Sequence, residues 1–156
     1  MALFVGRYAN RIDKKGRVSV PKPFRDAFEG QAFNGVYVYP LFKFNACEAC
    51  GEDFMTRLSD SLEDLPMFSD EQDDLSVILE SAHRLPFDPE GRIALPPEIL
   101  KATGVTSQAL FVGRGRRFHI WEPKAYDANR GRAFDRARAR GATLLLRKPD
   151  GANGAS

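Results

Sequence analysis

Polar and apolar positions follow the same pattern at two places along the chain. Phe4 to Ile12 is a strand-like run, and Arg17 to Val20 after it alternates, with Val18 and Val20 on one face and Arg17 and Ser19 on the other. Ala82 to Phe87 and Arg92 to Leu95 repeat this, with Ile93 and Leu95 on one face and Arg92 and Ala94 on the other. Between the runs stand Asp13-Lys14-Lys15-Gly16-Arg17 and Asp88-Pro89-Glu90-Gly91-Arg92. Asp-x-x-Gly suits a type I turn, the Asp carboxylate accepting backbone N–H bonds and Gly closing the turn. A positive φ at that Gly gives a hairpin with a G1 bulge. The copies lie 75 residues apart, an offset that also brings Pro21 onto Pro96. A repeat of this kind predicts a duplicated architecture.

After the first hairpin, Pro21-Lys22-Pro23 stops the strand and opens a short helix, Phe24 to Glu29, closed by Gly30. The strand Val36 to Tyr39 follows. In the second copy Pro96-Pro97 opens a helix over Glu98 to Thr103, closed by Gly104; strands Ala109 to Val112 and Phe118 to Trp121 flank a Gly113-Arg114-Gly115-Arg116-Arg117 turn. Val38-Tyr39 with Phe44 matches Ile120-Trp121 with Tyr126 at an offset of 82, which predicts seven additional residues in the second copy. Between the copies the pattern predicts one helix over Phe44 to Leu62. A second runs from Asp70 to about Ser81, with a capping-box start at Ser69 and Leu75, Ile78, Leu79 and Ala82 on one face. Pro123 opens a last helix reaching Arg140. The expected organisation is a first repeat (1–45), an acidic helical insert (46–81), a second repeat (82–127), a basic C-terminal helix (128–148) and a disordered tail (149–156).

A chain of 156 residues, 43% hydrophobic, can bury one full core or two intertwined halves. It has no apolar run of 18 residues and no basic segment ahead of an apolar one, so neither a membrane span nor a secretory leader is expected. Two cysteines, Cys47 and Cys50, do not make a disulfide framework, and a cytoplasmic protein is expected. The formal net charge of +2 conceals a division. Residues 1–25 carry seven bases and one acid, 48–80 eleven acids and one base, 101–148 twelve bases and three acids. Such segregation makes surfaces of opposite sign. The basic ends suit a polyanion.

The two D-x-x-G-R turns, each followed by x-x-x-Pro, the Tyr39-Pro40 and Ile120-Trp121 ends and the helical insert resemble the MraZ family, relatives of the AbrB-type swapped-hairpin proteins. The resemblance covers residues 1 to about 140. It implies an α+β, β-rich fold: a pseudo-twofold double-split β-barrel with a helical insert and a C-terminal helix. It also implies assembly into a ring and binding to repeated double-stranded promoter DNA upstream of the division and cell-wall gene cluster, usually as a repressor. Carried over by motif position, the DNA-binding residues are Lys15 and Arg17, with Lys14 and Arg7 beside them. Pro89-Glu90 in place of the two lysines makes the second turn the poorer DNA face.

Each candidate has a plainer reading. Arg17 either forks a guanine or a phosphate, or pairs with Asp13; Arg92 is read as the partner of Asp88. Cys47 and Cys50 fall at i and i+3 of an expected helix and are read as structural; zinc would need two further ligands, and His83 and His119, the only histidines, stand at no finger spacing. Those histidines are read as surface or half-buried strand residues, and the acids of 48–80 as solvated helix faces able to pair with Arg residues 130–140 of a neighbouring subunit. Tyr39, Phe118 and Trp121 are read as core rather than as a base-stacking platform, and the Gly113–Arg117 turn as a flexible basic turn rather than a phosphate holder. The reading is a nucleoid-associated transcriptional regulator with no cofactor, no small-molecule substrate and no catalysis. The rivals are an AbrB-like antitoxin or assembly module, whose main partner is a protein, and a thiol enzyme using Cys47 and Cys50.

Overall fold

The computed structural model describes residues 3–149. In chain order the elements are β1 (Arg7–Arg11), β2 (Arg17–Ser19), α1 (Lys22–Asp26), β3 (Gly35–Pro40), β4 (Cys47–Cys50), α2 (Glu52–Glu63), α3 (Asp70–Leu75) and α4 (Val77–Glu80). Then come β5 (His83–Pro86), β6 (Arg92–Ala94), α5 (Pro97–Thr103), β7 (Gln108–Gly113), β8 (Phe118–Trp121) and α6 (Pro123–Arg140). The architecture is α+β with an antiparallel six-stranded sheet, ordered β1-β7-β8-β4-β3-β5, and a two-stranded ribbon of β2 and β6.

The pairing crosses between the copies. β1 pairs with β7, β5 with β3, β2 with β6 and β4 with β8. Val18 lies opposite Ile93, its own counterpart at the offset of 75. Glu48 lies opposite His119 in the same way, at an offset of 71. A pseudo-twofold axis therefore passes through both pairs. Each turn glycine also serves the other copy: Leu95 N donates to Gly16 O at 2.8 Å and Val20 N to Gly91 O at 3.1 Å.

The alternation places Val18, Val20, Ile93 and Leu95 in the core and leaves Ser19 and Ala94 exposed. Phe24, Phe111 and Phe118 are fully buried; Phe4 joins them, its ring centroid 5.2 Å from Phe24 and 5.0 Å from Phe118. Pro at the first turn starts both α1 and α5, and Gly104 ends α5 with φ +72. Ser69 caps α3, its hydroxyl accepting from Gln72 N at 3.1 Å.

The segment between the copies departs from the expectation. The helix expected from Phe44 begins only at Glu52, and Cys47–Cys50 is a fully buried strand between β3 and β8. Burial on both faces overrides the helix preference of Glu and Ala. β4 is thus the counterpart of β8, and β3 of β7, at offsets of 71 and 73. The 82-residue match of Val38-Tyr39 to Ile120-Trp121 paired non-equivalent strands, and the second copy has no additional seven residues there. The helix expected over Asp70–Ser81 is two, separated at Ser76, with Ile78 half-buried and Val77 and Leu79 exposed.

The chain divides into two units, 1–126 and 127–156. The second consists of the rest of α6 followed by residues 142–149 without regular structure. Of the tail expected at 149–156, residues 150–156 lie outside those described.

Candidate nucleic-acid interface

The first turn is built by one carboxylate. Asp13 Oδ1 accepts from Lys15 N and Arg17 N, each at 2.9 Å, and Oδ2 accepts from Arg17 Nε at 2.7 Å. The N–H of Arg17, then its side chain and the Lys15 N–H, hold the Asp13 carboxyl below its ordinary 3.8 against the opposing effect of desolvation. Gly16 has φ +81, and a Cβ there would lie 2.9 Å from Leu95 O. Asn10 Nδ2 donates to Ser19 O at 2.7 Å, clamping β1 to the strand beyond the turn. The hairpin is therefore bonded on both sides of its turn, and it presents Lys14 and Lys15 to solvent at its tip.

Of the two readings set out for it, Arg17 shows the pairing with Asp13. Its Nε is committed to Asp13, which fixes the guanidinium plane. Its two Nη groups make no hydrogen bond within the described residues, so the fork remains open to an external acceptor.

The second turn reproduces the backbone and not the charge. Asp88 Oδ1 accepts from Glu90 N at 2.9 Å and Arg92 N at 2.8 Å, and Oδ2 from Arg92 Nε at 2.8 Å. Here Arg92 Nη2 also reaches Glu90 Oε2 at 3.4 Å, so this fork is closed by a second acid. Asp88, then Glu90, raise the Arg92 pKa, and Arg92 lowers that of Asp88. β2 and β6 run antiparallel, so the two turns lie at opposite ends of their ribbon, roughly 10 Å of strand apart.

The predicted residues are only partly brought together. Lys14, Lys15 and Arg17 share the turn. Arg7 stands at the other end of β1, about 14 Å of strand from Arg11, and its Cζ lies 6.0 Å from the Tyr126 ring centroid. Arg11, which no sequence motif singles out, is exposed at the turn end of β1. With Lys14, Thr106, Ser107 and Gln108 it lines an open concavity of about 440 Å³ beside the hairpin. Its only signal in the sequence was its place two residues before Asp13.

The other candidates lie away from the two turns or in the core. Cys47 and Cys50 are free thiols, fully buried in β4; burial pushes both pKa values up, that of Cys50 to about 12. Among the described residues no group of three or more His, Cys, Asp or Glu could hold a metal ion. His83 Nε2 lies 3.1 Å from Glu98 Oε2. His119, expected at or near the surface, is 4% exposed, and Glu48, expected on a solvated helix face, is 8% exposed.

These last two belong to one buried network. Glu48 Oε1 accepts from Arg117 Nε at 2.8 Å and faces His119 Nε2 at 3.3 Å, while Oε2 accepts from the Tyr39 hydroxyl. Trp121 Nε1 donates to His119 Nδ1 at 3.4 Å, which leaves Nε2 as the protonated ring nitrogen that donates to Glu48. Burial opposes the Glu48 charge, but the bonds from His119, Tyr39 and Arg117 outweigh it and the pKa falls. Arg117, part of the basic turn after β7, is thus held by Glu48.

Comparison with known proteins places the chain in a family. Residues 78–145 match the family described as "MraZ protein, putative antitoxin-like". The chain is 40% identical over 147 residues to a Transcriptional regulator MraZ of Pelagibacter ubique (strain HTCC1062), covering 94% of this chain and 95% of the relative. It is 45% identical over 130 residues to the protein of that name in Parvibaculum lavamentivorans, covering 82% and 81%, and 40% identical over 128 residues to that of Rickettsia akari, covering 81% and 86%. With relatives this similar over nearly its whole length, the chain belongs to the MraZ family, whose members named here are transcriptional regulators and not enzymes.

Proposed function

We propose that this chain is a sequence-specific DNA-binding transcriptional regulator that grips repeated promoter elements through the basic hairpin of its first repeat. One observation carries the reading. Two hairpins share a backbone and an Asp–Arg clasp, yet one exposes Lys14, Lys15 and an open Arg17 fork while the other closes its fork with Glu90. Such a ribbon suits the major groove, Lys14 and Lys15 reaching phosphates and Arg17 a guanine edge or a phosphate. Arg7 adds charge at the far end of β1.

The crossed pairing of β1 with β7 and β5 with β3 supports a double-split barrel of two swapped repeats, 1–45 and 82–127, as its scaffold. The protein acts in the cytoplasm, on the nucleoid, as a ring of identical subunits. It represses the division and cell-wall gene cluster. A second reading follows from the antitoxin-like description of the family: a module whose main partner is a protein.

Binding of the full chain to a duplex from upstream of its own gene, against a scrambled duplex of equal length, tests the proposal. Preference for the native duplex, weakening steeply with salt, is expected. Equal and weak binding to both duplexes would sink it in favour of the second reading.

A further inference from the structure

We infer that the Arg-rich part of α6 is a second, sequence-independent binding arm for the phosphate backbone of double-stranded DNA. The inference rests on the DNA-binding reading above and adds a contact site to it. Arg130, Arg132, Arg136, Arg138 and Arg140 fall within about 15 Å of helix. That is one charge per roughly 3 Å of helix axis, a linear charge density similar to the one phosphate per 3.4 Å of duplex axis on each DNA strand. Among the described residues none of the five has a carboxylate partner, although Asp127 and Asp135 share the helix. All five are exposed. The chemistry is uniform: every base from 130 to 140 is an arginine, whose fork matches phosphate oxygens in pairs.

Beyond Tyr126 the helix has no apolar stripe with which to dock on a protein. At about 100° per residue the five arginines point to all sides, no residue is buried, and the one large apolar side chain of this part, the exposed Phe134, has Arg138 Cζ 5.5 Å from its ring centroid. Arg132, Arg136 and Arg140 follow each other at i, i+4, where like charges repel, and Gly131 weakens the helix further. Such a helix is relieved by a polyanion that surrounds it. The rival occupant is the acidic segment 52–80 of a second copy, which offers opposite charge without phosphate geometry.

The test replaces all five arginines in the full-length protein, once by Gln and once by Lys. Affinity for the upstream duplex and for its scrambled counterpart is measured between roughly 50 and 200 mM salt, with the mass of the DNA-free protein followed by light scattering. The Gln variant is expected to lose affinity for both duplexes by the same factor, to lower the salt slope by up to about 4.5 per engaged subunit at about 0.9 per phosphate contact, and to keep its mass. The Lys variant is expected to recover most of the slope. An unchanged slope in the Gln variant overturns the inference while leaving the hairpin reading standing. A reduced mass in the Gln variant, whatever its slope, also overturns it and assigns the helix to a neighbouring subunit. Failure of the unaltered protein to bind any duplex removes both readings together.

Discussion

Arg17 Nε and Asp13 Oδ2 are 2.7 Å apart, and the same carboxylate accepts the Arg17 N–H through Oδ1. The clasp that shapes the turn therefore also aims the side chain proposed to read DNA. Arg17→Ala should remove the aimed fork while Asp13 keeps its two backbone bonds. Loss of roughly 1–3 kcal/mol per base contact is expected, multiplied where several subunits engage. A native circular dichroism spectrum with unchanged affinity would show that Arg17 is only a turn residue.

Lys14 and Lys15 at one tip and Glu90 at the other provide an internal control. Lys14→Ala with Lys15→Ala should weaken binding to every duplex and lower the salt slope by up to about 1.8 per engaged subunit. Glu90→Ala should leave binding equal or slightly tighter and free the Arg92 fork. Normal binding by the lysine variant, with loss in a Glu90 or Arg92 variant, would reverse the assignment of the two hairpins.

Glu48 should matter for stability and not for DNA. Glu48→Ala leaves the Tyr39 hydroxyl and the His119 N–H buried without their acceptor, a cost of about 3 kcal/mol. The folded pKa of Glu48 lies below its ordinary 4.5, so its contribution is complete above that pH and is lost as pH falls through the lower folded value. Urea unfolding followed by Trp121 fluorescence should show a constant gap between the two proteins above pH 4.5 and a narrowing one below. A gap independent of pH down to acid unfolding would argue that Glu48 is not charged in the fold.

The thiols should be silent. Cys47 and Cys50 are held in the core with raised pKa values, so alkylating reagents should label them only after unfolding. The Cys47→Ser, Cys50→Ser double variant is expected to keep operator preference at some loss of stability. Rapid labelling of the native protein would reopen thiol chemistry.

Met67 and Phe68 are exposed at 75% and 93%, Phe68 with φ +65, and Val77 lies exposed further along the acidic insert. Such apolar exposure fits a subunit contact in the proposed ring. Light scattering at micromolar concentration should give a mass of several chains, lowered by Phe68→Ser. A monomer for the unaltered protein would exclude the ring.

The hairpins were legible because Asp, Gly and Pro act locally: Asp13 and Asp88, Gly16 and Gly91, and Pro21 and Pro96 specify their turns and stops without help from the rest of the chain. The same holds for the cap at Ser69 and the end of α5 at Gly104. β4 was not legible, because Cys47-Glu48-Ala49-Cys50 has neither alternation nor β-branched residues. It is a strand because β3 and β8 stand on either side. Missing it misaligned the second half of the repeat and left Glu48 on an imagined solvated helix. At the site, sequence supplied the charges of Lys14, Lys15 and Arg17. It could not show that Arg17 pairs with Asp13 and still keeps an open fork, nor that Arg11 and not Arg7 lies near the tip.

The crossed pairing also sets an order of events during synthesis. Tyr8 meets Phe111, and Val18 meets Ile93, so the first hairpin of the chain has no strand partner until most of the sequence has left the ribosome. Contacts this distant make folding slow, and β1 waits with an open edge and with Leu3, Val5 and Tyr8 beside it. A nascent chain halted before residue 92 should be a ready client for chaperones, and two such fragments, each lacking the other half, should find each other.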